Sequence, residues 1–317
     1  MQPEISVIVP AYNEEKHLQT SLNSLLTQTF QNWEAWVVDD GSSDGTPEIC
    51  DTYEKKDARI HVIHQKNQGI SKTRNHGVAH ARGEYLAFLD SDDFYEPQML
   101  ETMVKALDET KADFAFCGHL VDQDGKTIRR VSDAPRMMNR WELCQFLSQG
   151  TGNDFLWNKV FRRSFWGNQQ FPAGKCYEDA FAITELLPRC RKVCYVGTPL
   201  YHYVQNNAGI TRSKPTLRIL DGIEAKQLRL QQIQALHPDL AYLANRQLVL
   251  FLLWTEYLIC GQGCDPKLKQ RESEVIAQLR HPMENLGFVL GAARMLNLYA
   301  RPLFILASKV LIKLQKR

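Results

Sequence analysis

Three carboxylates fall within four residues at Asp90-Ser91-Asp92-Asp93, directly after the apolar run Tyr85-Leu86-Ala87-Phe88-Leu89. Carboxylates this close repel one another, and burying them unneutralised is costly. A solvated loop relieves that repulsion; so does a divalent cation held at the end of a buried strand. The second arrangement has a chemistry: a hard cation bound by carboxylate oxygens also takes phosphate oxygens and stabilises a departing anion. Polar groups recur at Pro10-Ala11-Tyr12-Asn13-Glu14, at Asp39-Asp40-Gly41-Ser42 and at Arg74. Taken singly these are a helix start, a tight turn and a solvated cation. A further pair, Glu178-Asp179, opens an apolar-striped stretch. It is either a general base for deprotonating a hydroxyl or the acidic first turn of a helix.

The elements that must position these groups alternate. Ile5 to Val9, Ala35 to Val38, Ile60 to Ile63 and Tyr85 to Leu89 are short β-branched or apolar runs that read as buried strands. Between them Leu18, Leu22, Leu25 and Leu26 recur at helical spacing, Thr46-Pro47 reads as N-cap and first helical residue, and a helix is expected over about Ser71 to Ala81. Pro97 starts a helix through Leu107. Such alternation predicts βαβ units in a mostly parallel sheet, whose loops at the carboxyl ends of the strands share one edge and bring the polar groups together.

After about Gly118 the pattern changes. Asp122 to Lys126 reads as a hairpin tip, Trp141 to Leu147 as a short helix, and Phe155 to Phe161 as a return to the sheet. Tyr177 to Leu187 is helical, Val193 to Val196 and Leu200 to Val204 read as two strands, and helices follow from Thr216 with breaks near Pro238, Gly261 and Pro282.

Bulk properties bound the answer. The 317 residues suffice for a sizeable core, and 44% hydrophobic with 23% charged residues is ordinary for a globular protein. A formal net charge of +2 argues against nucleic acid as a partner. No stretch of roughly 18 uninterrupted apolar residues predicts a membrane span. The first strand begins almost at the N-terminus, which argues against a signal peptide, and the eight scattered cysteines suit reduced thiols in a cytoplasmic protein.

Val7 to Glu14, Val37 to Thr46, Asn67 to Asn75, Asp90 to Asp93, Trp157-Asn158-Lys159 and Glu178-Asp179 resemble, in order and spacing, family 2 of the nucleotide-sugar glycosyltransferases. The resemblance covers roughly residues 4–212. It implies the GT-A fold, a Rossmann-like sheet flanked by helices over 1–213, with a helical region over 214–317. It also implies a nucleotide diphosphate sugar donor and inversion at the anomeric carbon. By it, Pro10, Tyr12 and Glu14 line the nucleoside pocket, and Asp40 accepts a hydrogen bond from a base, which suits uracil and hence a UDP-sugar. Arg74, Asp90 and Ser91 hold the nucleotide, and Asp92 with Asp90 binds Mg²⁺ or Mn²⁺. Asp179, beside Glu178, is the base. His202 is a further metal ligand or a packing residue, Arg212 closes over the diphosphate, and Trp157 stacks on a sugar or fills the core.

The acceptor implied is a hydroxyl of a glycan or lipid-linked saccharide in surface polysaccharide assembly. Drawn as a helix, Arg294 to Arg317 places Arg294, Arg301, Lys309, Lys313, Lys316 and Arg317 within an arc of roughly 160°, opposite Leu296, Leu303, Val310 and Leu314. That surface suits anionic lipid at the cytoplasmic face, or a helix packed on the catalytic domain. A sugar nucleotidylyltransferase would carry a Gly-rich, Arg-containing loop after the first strand, where this chain has Pro10 to Glu14 without glycine. A non-catalytic nucleotide-sugar-binding scaffold is the other alternative, separated by product formation.

Overall fold

The structure is a computed structural model, and it describes residues 2–149, 154–205, 216–261, 265–280 and 295. The elements are β1 (Ile5–Ala11), α1 (Leu18–Leu26), β2 (Trp33–Asp39), α2 (Thr46–Lys56), β3 (Ile60–His64), α3 (Ile70–His80), β4 (Tyr85–Phe88), β5 (Phe94–Tyr95) and α4 (Met99–Thr110). Then come β6 (Phe114–Gln123), β7 (Lys126–Val131), β8 (Arg136–Asn139), α5 (Arg140–Gln149), β9 (Lys159–Arg162), α6 (Arg163–Trp166), α7 (Glu178–Leu186) and β10 (Lys192–Val204). The last are α8 (Ile219–Leu236), α9 (Ala241–Gly261), α10 (Pro266–Gln270) and α11 (Glu272–Arg280). By contacts the chain forms two compact units: 1–143 with 154–174 and 185–207, and 144–153 with 175–184 and 208–317.

The first unit is one sheet in the order β3-β2-β1-β4-β9-β6-β10-β5. β3, β2, β1 and β4 run parallel, as the alternation predicted. β9, the aromatic run expected to return to the sheet, enters antiparallel between β4 and β6. The central strands β1 and β4 are buried on both faces. Val7, Val9, Val37 and Ala87 pack with Leu18, Leu22 and Leu25 of α1 and Leu100, Met103 and Leu107 of α4. On the opposite face α3 lies against β1 so closely that a Cβ on Gly77 would stand 2.6 Å from Ile8 Cγ2.

Three local expectations change. Gly45, not Thr46, is the cap of α2, because Thr46 already has helical geometry and its hydroxyl serves another loop. The helix after Pro97 starts at Met99. The two strands at 193–204 are one strand, kinked where the pairing with β6 slips between Tyr195 and Tyr201 and Gly197 adopts φ +77°. The hairpin tip stands as read: Asp124 and Gly125 both have positive φ, which suits the right-handed twist of the flanking strands.

In the second unit α8 and α9 share a core of Ile219, Ile223, Leu248, Val249 and Leu252, joined by Leu268 and Val275 of α10 and α11. The break between them is a 3₁₀ turn at Pro238–Leu240. Among the described residues no helix is long and apolar enough to cross a membrane. The break expected at Pro282, Arg212 and all the charged residues of the basic C-terminal arc lie outside the described residues.

Candidate active site

The β1–β4 ladder ends because Pro10 has no N–H to give: pairing stops at Ile8–Phe88, with Leu89 N donating to Ile8 O. Beyond that point both chains are free to turn. The loop after β1 is stitched to the loop after β2. Asn13, in the left-handed region at φ +55°, donates its N–H to Ser42 Oγ (2.9 Å) and accepts from Ser43 N (2.8 Å). Glu14 N donates to Thr46 Oγ1 (2.8 Å), and Glu15 N to Asp44 Oδ2 (3.1 Å). Pro10 is buried and Tyr12 is 50% exposed.

The two aspartates at the end of β2 do different work. Asp39 accepts from Ser42 N (3.0 Å) and pairs with the His64 imidazole (2.9 Å), holding its own turn. Asp40, 4% exposed, accepts from Gln65 Nε2 (2.7 Å), Gln68 N (2.8 Å) and Gly69 N (2.8 Å). Three of its roughly four lone-pair positions thus shape the loop that leads into α3. One turn into α3, the buried Arg74 guanidinium donates to Asp90 Oδ1 at 2.7 Å.

In the Asp90–Asp93 turn, Ser91 is buried and Asp92 half-buried. Asp93 is turned inward, accepting from the Tyr201 hydroxyl (2.7 Å) and Val204 N (2.7 Å). Burial, then the charges of Asp92 and Asp90, push its carboxyl well above the usual range. Glu14 feels the same field: burial first, then Asp92, Asp44 and Asp90, push it up to about 7. Five carboxylates from three loops therefore share one electrostatic environment, with Arg74 as a cation beside it. Their donor set is all oxygen, which fits Mg²⁺ or Mn²⁺. Among the described residues no three side chains could hold a metal unaided. Magnesium needs only one or two carboxylates when phosphate oxygens complete its shell.

The model of glycosyl transferase family 2 matches residues 6–169, more than half of the chain and all of the loops just described. The chain belongs to glycosyl transferase family 2. It is 39% identical to EpsH of Bacillus subtilis over 210 residues, 63% of this chain and 60% of EpsH, so it spans less than two thirds of that relative. The fold superposes on S. aureus TarS 1-349 in complex with UDP-GlcNAc with a TM-score of 0.72 at 23% identity, covering 96% of this chain and 89% of TarS 1-349. It also superposes on the mannosyltransferase PcManGT from Pyrobaculum calidifontis in complex with GDP-Man and Mn²⁺, with a TM-score of 0.52 at 17% identity, over 100% and 88% of the two chains. These likenesses establish the GT-A architecture.

Other expected residues lie outside these loops. His202 is committed elsewhere: Nδ1 faces Asp122 (2.6 Å), Nε2 faces Glu96 (2.8 Å), and the ring stacks on Phe94 at 4.1 Å. With both ring nitrogens facing carboxylates and the ring stacked, the contacts are those of the packing and hydrogen-bonding alternative. Trp157 is 5% exposed and stacks on Phe155, Tyr201 and Tyr203, so it fills the core. Glu178 and Asp179 stand in the first turn of α7, in the second unit; Glu178 is buried and Asp179 half-buried. Sequence reasoning missed Asp93, Tyr201, Gln65 and Asp44 as organisers of the site. The alternation of Tyr201 and Tyr203 against His202 was the available signal, since it turns Tyr201 inward.

Proposed function

We propose that this chain is an inverting, metal-dependent glycosyltransferase that moves a sugar from a UDP-sugar to a hydroxyl of a glycan or lipid-linked saccharide in surface polysaccharide assembly. The observation that carries it is the convergence of Glu14, Asp44, Asp90 and Asp92 from the loops after parallel strands β1, β2 and β4, with Arg74 of α3 against Asp90. EpsH and TarS add support as relatives, and the UDP-GlcNAc bound by TarS favours uridine as the nucleoside.

In this reading Tyr12 stacks on the base, the remaining lone pair of Asp40 accepts from it, and Arg74 and Ser91 hold the diphosphate. Arg212 is assigned to the same diphosphate. Asp92 and Asp90 would hold Mg²⁺ or Mn²⁺, which when bound supplies charge neutralisation for the leaving diphosphate. Asp179, with Glu178 beside it, takes the proton from the acceptor hydroxyl. The hydroxyl oxygen bonds to the anomeric carbon while the bond to the diphosphate oxygen breaks, and the electron pair leaves with UDP. Attack from the face opposite UDP inverts the anomeric centre. The basic arc of 294–317 is assigned to peripheral contact with anionic lipid at the cytoplasmic face, where a lipid-linked acceptor lies.

The test is thermal stability with UDP, GDP, CMP and dTDP, each with Mn²⁺, Mg²⁺ or EDTA, followed by UDP release from a panel of UDP-sugars. A ligand at about 100 times its dissociation constant adds roughly 2.7 kcal/mol. A metal-dependent UDP shift lost in Asp92→Ala, with UDP release, is expected. A shift without release from any donor would instead favour the scaffold.

A further inference from the structure

We propose that α8 aims the Glu178–Asp179 pair, with Asp221, Gly222 and Arg229 as positioning residues. The proposal rests on the reading of Asp179 as the base. Its starting point is Tyr177, directly before Glu178, which adopts φ +59°. A bulky residue in the left-handed region is an outlier that persists only where its surroundings hold it. What holds it lies on α8 and α9.

Asp221, in the first turn of α8, accepts from Cys176 N (3.0 Å) and pairs with Lys175 Nζ (3.2 Å). This pins the backbone immediately before Tyr177. The Tyr177 ring meets Phe251 of α9 edge-on at 5.8 Å. Gly222 makes room for both: a Cβ there would stand 2.5 Å from Phe251 Cζ and 3.0 Å from Tyr177 Cε2.

The other end of the segment is gripped separately. Arg229, 2% exposed, donates through Nη2 to Thr184 Oγ1 (2.8 Å) and to Ala180 O (3.3 Å), and through Nε to Thr184 Oγ1 (3.1 Å). Thr184 Oγ1 itself donates to Ala180 O (2.6 Å). Between the grips Ala180 and Phe181 pack on Ala225 and Leu228. Asp221 and Arg229 are eight residues apart, about 12 Å along a helix. Two grips at that spacing fix both the position and the direction of α7's first turn. A base needs that accuracy, because a displacement of about 1 Å can cost 10²-fold in rate.

The experiment uses the full chain with Asp221→Asn and Arg229→Gln, and Gln231→Ala as a control at an exposed position of α8. Amide exchange over 176–184 should quicken in both variants and stay unchanged in the control, while exchange over 85–95 stays at wild-type rates. With the UDP-sugar that supports UDP release, kcat should fall about 10–100-fold with donor KM within about twofold. In an Asp179→Asn background neither variant should cause further loss. Unchanged exchange over 176–184, a loss confined to KM, or a further loss in the Asp179→Asn background would overturn the proposal. Absence of UDP release by the wild type with every donor would sink the functional reading instead; the aiming role falls with it, and the exchange data then bear on the clasp alone.

Discussion

The Tyr201 hydroxyl and Asp93 meet across 2.7 Å although 108 residues separate them in the chain. One is the last aspartate of the turn after β4, the other lies in β10. Tyr201→Phe would leave a buried carboxyl with one acceptor less satisfied, which costs about 1–3 kcal/mol. The urea midpoint should fall accordingly with an unchanged m-value. An unaltered midpoint would mean that Asp93 finds another donor.

Arg74 is expected to matter for donor binding more than for folding. Its guanidinium is buried against Asp90, and truncating one partner of such a pair costs about 2–5 kcal/mol where the pair contacts ligand. Arg74→Gln should therefore raise donor KM by at least about tenfold, since each 1.4 kcal/mol is a factor of ten. Donor KM within twofold of wild type would remove Arg74 from the diphosphate.

Gly83 closes the chain onto β1 at the end of the strand away from the site. A Cβ there would lie 2.6 Å from Ser6 N and 2.8 Å from Ile5 C, both backbone. Its own N–H donates to Ser6 Oγ (2.8 Å), which donates to the buried Glu34 (2.6 Å). Gly83→Ala should destabilise by roughly 1–3 kcal/mol or more, because backbone cannot step aside as a side-chain tip can. Chemical denaturation measures this, and a loss under 0.5 kcal/mol, the size of a neutral surface change, would show that the strand shifts freely.

His119 contributes one limb of the pH dependence. Burial first, then Arg129 and Lys159, hold its pKa down at about 4, against an ordinary value of 6.5. Between those values the unfolded chain binds a proton that the folded chain refuses. The contribution is thus complete above about pH 6.5 and lost as pH falls toward 4. Glu14, raised from 4.5 to about 7, acts with the opposite sign over nearly the same window, so His119→Gln should remove the loss on the acid side and leave stability falling as pH rises from about 4.5 to 7. An identical acid limb in the variant would place the titration elsewhere.

Much of this protein was legible in its residues. The parallel half of the sheet followed from β-branched runs alternating with helical stripes, because a strand buried on both faces can tolerate few polar side chains. The site loops were legible as well, since Pro10, Asn13, Asp40-Gly41 and Asp90–Asp93 are turn and acid chemistry at strand ends. Sequence also sufficed for the family, whose motifs are local.

Contacts between distant segments were decided only by the fold. Whether Asp93 faces a cation or Tyr201 depends on which strand lies beside β4's turn, and no local pattern encodes that. His202 shows the same limit: a strand histidine among tyrosines is equally compatible with a metal and with Asp122 and Glu96. The antiparallel entry of β9 and the kink at Gly197 were likewise hidden, because strand direction follows from the path of a connection rather than from composition. Sequence alone thus specified the chemistry carried at each strand end, and tertiary structure alone settled which of those groups are spent on holding one another, because desolvation and charge act through space and not along the chain.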